Sequence, residues 1–282
     1  MKRKLWILAF LLVGVGIIGL AFNKFQIGDE GLIRVEKSWS IQGNELNELI
    51  VDGASSDVKI EFIESASETA NISISGKVEP VVAERIKNTV VAHEALKLDL
   101  ETNGTVIFVQ FGFTDTEINI QVSMPKSDEL NHLQVSMSSG NAKVIGAAVD
   151  YITLESKSGN ATISDIQAIE AAISSQSGNL KIENITSKLM ASTDSGNINI
   201  KTLTGELDAD SKSGNITINQ EESSDATVTT SSGDVKFIAA NNFDGFYDVR
   251  SNSGTVSAPE NNGNSDEIIK IKTSSGNITV KQ

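Results

Sequence analysis

The 282-residue chain has no cysteine, only three prolines and two histidines, and 5% aromatic residues. Without cysteine there is no disulfide, no thiolate metal site and no thiol nucleophile. A lipid-modified cysteine at the start of a mature lipoprotein is excluded too. So thin an aromatic content is little for a compact globular core. An elongated repeat protein tolerates it, because its core is a narrow aliphatic stripe. A basic surface is also missing. The formal net charge is −14, divided as +3 over residues 1–22, −10 over 23–130 and −7 over 131–282. A nucleic-acid binder needs clustered cations to displace phosphate counterions, so nucleic acid is excluded as a partner. Direct attraction to anionic lipid or acidic polymer is disfavoured for the same reason, unless cations bridge.

What cations there are stand first. Lys2, Arg3 and Lys4 precede an uncharged apolar run from Leu5 to Phe22. Its length as a helix, roughly 27 Å at 1.5 Å per residue, just spans a thin hydrocarbon core. Residues 1–22 are therefore read as a single-pass transmembrane helix whose cations stay cytoplasmic, with the C-terminal part extracellular. The rival is a cleaved signal peptide, for which Gly19-Leu20-Ala21 offers a small-x-small pattern.

Ser, Thr, Asn, Gly, Ile and Val dominate the remainder, and one phrase recurs. "SKSGNATISD" at 156–165 returns as "SQSGNLKIEN", "TDSGNINIKT", "SKSGNITINQ" and "TSSGNITVKQ". The central glycines are Gly140, Gly159, Gly178, Gly196, Gly214, Gly233, Gly254 and Gly276, spaced by 18 to 22 residues. A fixed period near 20 is the mark of a solenoid. Five residues before each glycine stand Val135, Leu154, Ile173, Ala191, Ala209, Val228, Val249 and Ile271. Four after it stand Val144, Ile163, Ile182, Ile200, Ile218, Phe237, Ala258 and Val280. Apolar positions lie two apart on either side of the glycine, which is the strand period. The predicted fold class is all-β: a parallel β-solenoid (β-helix) of about 18–22-residue SGN coils behind the N-terminal helix.

In this reading each Ser-Gly-Asn is a structural corner. The glycine supplies either a positive φ or close backbone approach. Asn141, Asn160, Asn179, Asn197, Asn215 and Asn277 follow it and can hydrogen-bond along the stack; Asp234 and Thr255 interrupt their column.

Four segments follow: the membrane segment 1–22, a linker over 23–44, an irregular β capping region over 45–130, and the regular repeats over 131–282. Within the irregular part, 49–63 resembles a degenerate coil, while 71–78, 96–111 and 116–125 alternate as strands. Asn103-Gly104 signals a tight turn, and 79–95 is the one helix expected beyond the membrane. At the far end the last strand, "NITVKQ", is expected to form the open edge, blunted by Lys270, Lys272 and Lys281 or left to accept a partner strand.

Chemistry is sparse. No G-x-S-x-G elbow or phosphate-binding loop occurs. His93 and His132 stand 39 residues apart without flanking carboxylate motifs, and Glu221-Glu222 and Asp266-Glu267 fit solvated loops. Asp194, Asp208, Asp210, Asp225, Asp234, Asp244 and Asp248 are scattered. Asp208 and Asp210 alternate on one strand face, with Asp248 in the column of Asp208 two coils on. That pattern is open to a cation site or a charged outer face. No catalytic residue, cofactor or metal is assigned.

The "SGN-x-x-I" and "SSGDVKF" units, behind a membrane segment in a cysteine-free chain, resemble the bacterial adhesin-type domain family of unknown function. That family includes LiaG-like membrane proteins of Gram-positive bacteria linked to envelope stress. The resemblance covers residues 45–282 and implies a surface-exposed β-solenoid with no catalytic residues to carry over. The expected function is a non-catalytic, membrane-anchored surface module that binds an envelope protein or cell-wall component. The alternatives are a polysaccharide-acting β-helix enzyme and a regulatory accessory in envelope-stress sensing.

Overall fold

The computed structural model describes residues 31–42, 45–101, 117–125 and 130–282. The apolar segment 1–22 and the turn at Asn103-Gly104 lie outside them. Among the described residues no helix is long and apolar enough to cross a membrane. The chain is nearly all-β, with one long and mostly parallel sheet.

The first part contains β1 (Ile33–Gln42), β2 (Glu48–Gly53), β3 (Val58–Ser65), β4 (Thr69–Val78), α1 (Pro80–Asn88), β5 (Ala95–Asp99) and β6 (Ile118–Pro125). The repeats follow as β7 (Leu130–Met137), β8 (Ala142–Ile145), β9 (Ala148–Ser156), β10 (Ala161–Ser175), β11 (Leu180–Ser195), β12 (Ile198–Thr204) and β13 (Leu207–Ser213). The rest are β14 (Ile216–Gln220), β15 (Ala226–Ser232), β16 (Val235–Ile238), β17 (Phe246–Ser253), β18 (Val256–Ser257), β19 (Ile268–Ser275) and β20 (Ile278–Lys281).

Each coil contributes one strand before its corner and one after it. Strands after the corner pair in parallel in the order β6, β3, β8, β10, β11, β12, β14, β16, β20, β18. Those before the corner run β5, β2, β7, β9, β10, β11, β13, β15, β19, β17. β10 and β11 are long enough to serve both faces. The register is like on like: Ile163, Ile182, Ile200, Ile218, Phe237 and Val280 face one another in sequence. These side chains are buried, and Ile200 and Ile218 have no exposed surface. A single coil could neither bury this stripe nor pair its backbone. At about 4.8 Å per coil the stack is a rod of roughly 45 Å.

Two coils sit out of chain order. At the proximal end β2 and β3 lie between β5–β6 and β7–β8. At the distal end β19 and β20 lie between β15–β16 and β17–β18. The final strand is thus interior, and the expectation that it forms the open edge is corrected: β17 and β18 are outermost. Both coils satisfy the same apolar columns, so the pattern alone does not order them. Burial does, because Ile269 and Ile271 are fully buried inside the stack, whereas Tyr247 and Val249 are only half-buried at its end.

The assignment of 23–44 as linker is corrected in its second half. Residues 33–42 form β1, which pairs antiparallel with β4, and β4 pairs antiparallel with β6. Alternation of Val35, Trp39 and Ile41 with polar residues, all three buried, was the signal. α1 packs against β1 and β5 at the proximal end, burying Val82, Ala83 and Ile86. Pro80 suits the first helical turn, and the β-branched run Thr89-Val90-Val91 follows its last residue. Helix therefore occupies only 80–88 of the expected 79–95.

A second corner lies six residues after the first. Gly146, Asp165, Asn184 and Thr202 occupy it with φ of 74°, 58°, 52° and 60°. Glycine, asparagine and aspartate tolerate this left-handed region; a β-branched threonine does not. Asn184 Nδ2 donates to Asp165 Oδ1 at 2.9 Å in the same column. Thr202→Asn is therefore expected to stabilise the chain by about 1 kcal/mol, read as a higher denaturant midpoint; a lower midpoint would place Thr202 outside the left-handed region.

Candidate functional site: the corner ladder, the outer faces and the distal edge

At the Ser-Gly-Asn corner the coils touch backbone to backbone. A Cβ on Gly159 would fall closer than 3.0 Å to the carbonyl oxygen of Gly140. The same overlap repeats at Gly178 over Gly159, Gly196 over Gly178, Gly214 over Gly196, Gly233 over Gly214 and Gly276 over Gly233. Gly140 meets Ser56, and the outermost Gly254 meets Gly276. Gly140, Gly159, Gly178, Gly196 and Gly214 do not have positive φ. At these five, close approach is what requires glycine, whereas Gly233, Gly254 and Gly276 add positive φ of 159°, 152° and 150° to the same close approach.

Beside the glycines runs a polar ladder. Each Oδ1 accepts the backbone N–H of the next residue up the stack. Asn160 N donates to Asn141 Oδ1 at 3.1 Å, Asn179 to Asn160 at 2.9 Å, Asn197 to Asn179 at 2.9 Å and Asn215 to Asn197 at 2.9 Å. Side-chain amides of Asn160, Asn179 and Asn197 donate to the same oxygens. Asp57 starts the ladder by accepting Asn141 N at 2.8 Å. Asp234 does not interrupt it: a carboxylate keeps the acceptor role and takes Asn277 N at 2.7 Å. Thr255 ends it by donating to Asn277 Oδ1 at 3.0 Å, in the outermost coil. Inside the turn lies a second column that the sequence reading missed. Ser175, Thr193, Ser211, Thr230 and Thr273 are buried, and each donates its hydroxyl to the glycine carbonyl of the coil below. A small hydroxyl residue three before every one of these glycines was the signal.

The acids do not converge. Asp208 lies beside Met190 and Thr227, then come Lys270 and Asp248 in the same column. Thus Asp248 stands three coils from Asp208, not two, with a lysine between. Asp248 pairs with Arg250 at 2.8 Å and Asp194 with Lys212 at 2.7 Å. Asp225 accepts Ile268 N, and Asp244 accepts Asn264 Nδ2. Partial burial and then the neighbouring Asp208 push the Asp210 carboxyl above its ordinary value, against a smaller pull from Lys212. Among the described residues no group of three His, Asp or Glu could hold a metal ion. His132 stacks on Tyr151 with ring centroids 5.0 Å apart. His93 sits in an exposed turn with φ of 53°, before β5.

At the proximal end an open groove of about 710 Å³ is lined by Trp39, Ile41, Glu45, Val90 and His93 among others. Among the described residues that line it, the one lysine, Lys37, is committed. Lys37 Nζ donates to the carbonyls of Ile86, Lys87 and Thr89, closing the C-terminus of α1. It also lies 4.8 Å over the Trp39 ring, and burial lowers its pKa.

The distal end is different in kind. β17 and β18 pair only with β19 and β20 among the described residues. Phe246 N donates to Glu267 O at 2.9 Å, so by strand alternation Tyr247, Val249 and Ser251 direct their peptide groups away from the stack. Tyr247 N is taken by Asn261 Oδ1 at 2.6 Å.

The molecule is thus a rod of stacked parallel coils with a filled aliphatic interior, closed by a helix at one end and open at the other. The chain belongs to the Toastrack DUF4097 family, which matches residues 46–281. Among solved structures, a candidate adhesin from Bacteroides fragilis is similar at 18% identity and TM-score 0.50, covering 88% of this chain and 97% of its own. A candidate adhesin from Parabacteroides merdae matches at 14% identity and TM-score 0.45, over 92% and 99% of the two chains. A candidate lipid-binding protein from Parabacteroides distasonis matches at 16% and 0.47, over 90% and 98%. No curated protein matches the sequence significantly. At 18% identity the likeness to the Bacteroides fragilis protein is one of fold.

Two outcomes follow from the ladder and the acids. Asn197→Ala removes the acceptor for Asn215 N and is expected to cost about 1 kcal/mol, whereas Asn197→Asp, which keeps the acceptor as Asp234 does, costs less in the same denaturation series. Equal losses would show that the ladder oxygen contributes nothing. Because the Asp210 carboxyl is raised in the folded chain, its ionisation opposes folding at neutral pH, and that penalty disappears as pH falls through the folded pKa into the usual carboxylate range. Asp210→Asn should therefore melt higher than the native chain at pH 7, with the gap narrowing at pH 4; a gap that widens at pH 4 contradicts the assignment.

Proposed function

We propose that this protein is a non-catalytic, membrane-anchored surface module of the bacterial envelope, a β-solenoid whose outer faces bind an envelope protein or a cell-wall component. The observation that carries this reading is the filled core. Aliphatic columns occupy the interior from Leu98 and Ile120 at one end to Ile271 and Val280 at the other. A ligand can meet only the outer faces, the corners or the ends. Those surfaces present Ser, Thr, Asn and Lys in repeating rows at the coil spacing, a geometry suited to an extended partner. Lys2, Arg3 and Lys4 before the apolar run to Phe22 support a cytoplasmic N-terminus with the rod outside.

The reading as a polysaccharide-acting enzyme needs Asp208, Asp210 and Asp248 on one site, and Thr227 and Lys270 lie between them. Two carboxylates acting on one glycosidic bond must stand within about 10 Å. Asp208 and Asp210 alone are neighbours on one exposed strand face.

The test uses the full chain in cells. It should sediment with membranes and lose its rod to protease added from outside, and deletion of residues 2–22 should release it. The released rod should bind isolated envelope material saturably without liberating sugar. Protection from external protease, or release of reducing ends that Asp208→Ala abolishes, would overturn the proposal.

A further inference from the structure

We propose that the distal coil is a self-association surface, on which a second copy of this chain pairs β17 antiparallel to its own β17 about a two-fold axis at Val249. This goes beyond the function proposed above and does not depend on membrane anchorage.

Three observations lead there. The first is an edge with unmet hydrogen bonds. Val249 and Ser251 direct peptide groups away from the stack, and β17 has no strand on that side among the described residues. An antiparallel partner centred on Val249 gives reciprocal bonds at that residue, and each Ser251 N–H reaches the carbonyl of the second copy's Tyr247. Tyr247 N–H needs no new partner, because Asn261 already holds it.

The second is unfinished burial. Val256 is 41% exposed, whereas Ile278, which occupies the same column one coil in, is 1% exposed. Tyr247 and Val249 are half-buried where Ile269 and Ile271 are fully buried. One more coil would complete the stripe, and in this chain every coil is stacked on a near-copy of itself.

The third is charge, and it selects the partner. On the outer face of β17, Asp248 and Arg250 flank Val249 and pair with each other at 2.8 Å. A strand reading acid, apolar, base is self-complementary only when antiparallel. About Val249, Asp248 faces the second copy's Arg250 and the reverse, giving two opposite-charge cross-strand pairs. The distal residues 246–282 carry four acids (Asp248, Glu260, Asp266, Glu267) and four bases (Arg250, Lys270, Lys272, Lys281), so they are neutral in a chain of net charge −14. Like-charge repulsion between copies is therefore least at this end. An isologous contact of this kind closes on itself and makes a dimer, not a fibre, with the two proximal ends at opposite poles.

The absence of native cysteine makes the test direct. Val249→Cys is introduced into the full chain and oxidised in detergent solution. Residues on the two-fold axis of an antiparallel pair have Cα atoms about 5.5 Å apart, within disulfide range. A species of twice the 30.0 kDa chain mass is expected. Val90→Cys, exposed at the proximal end, should give none. Adding Arg250→Asp places like charges opposite each other and should cut the dimer yield by at least about tenfold. The double exchange Asp248→Arg with Arg250→Asp should restore it. Should the cysteine variant fail to fold, the native chain, Arg250→Asp and the double exchange are compared by sedimentation in detergent, where dimer, monomer and dimer are expected. No disulfide dimer from Val249→Cys, an equal yield from Val90→Cys, capture of a different protein, or a double exchange that stays monomeric would each overturn the proposal.

Discussion

The contact on which the rest depends is between the carbonyl oxygen of one corner glycine and the α-carbon of the next. Nothing fits between Gly140 and Gly159, or between Gly178 and Gly196, and that proximity sets the coil spacing on one side of the rod. Once the corners are that close, strands on both faces come within hydrogen-bonding distance and side chains of equal register are forced together. Isoleucine on isoleucine follows as a consequence of the corner. So does the asparagine column: a backbone N–H at each corner has no strand partner, and the amide oxygen of the coil below supplies one. Buried hydroxyls perform the complementary task on the glycine carbonyls.

A stack built this way stabilises neighbours and leaves its ends to be solved separately. The two ends are solved differently. At the proximal end β1 and β4 turn antiparallel and α1 covers the coil beneath, with Lys37 closing the helix and Arg85 bound to Asp99 at 2.5 Å. At the distal end the chain places its less apolar coil outermost, draws its better-buried coil inside, and lets the 259–267 segment cross back, Asn261 covering one peptide N–H. What the described residues leave uncovered is a short edge with one acid and one base.

Much of this was legible from residue spacing. The period, the apolar columns, the glycine corner and the asparagine ladder all follow from identities repeated every 18 to 22 residues. What was not legible is whatever the repeat leaves degenerate. Coil order is the clearest case: Val249 and Ile271 fit one column equally well, and the longer spacings before Gly254 and Gly276 were the only sign of an excursion. Asp234 reads as an interruption only if side-chain identity is weighed ahead of acceptor capacity, and Thr255 stands at the end of the ladder because its coil is outermost. β1 has no repeat to declare it, being an isolated alternating segment after an apolar N-terminal run. The αL column at Asp165, Asn184 and Thr202 was hidden by its threonine. The acids Asp208, Asp210 and Asp248 share a face in both descriptions, but only the true coil order shows Lys270 between them.

For function, the weight lies on shape. A rod with a filled interior leaves only surface rows and ends to meet a partner, and the function proposed above places those surfaces at an envelope. The measurement that tests the stacking most directly is a methyl and aromatic nuclear Overhauser map of the repeat core. Like-on-like stacking requires an unbroken series of contacts from Ile182 to Ile200, Ile218, Phe237 and Val280, crossing 43 residues of sequence at its last step. A Phe237 ring in contact with Ala258 in place of Val280, or an Ile200 without a contact to Ile218, would contradict it.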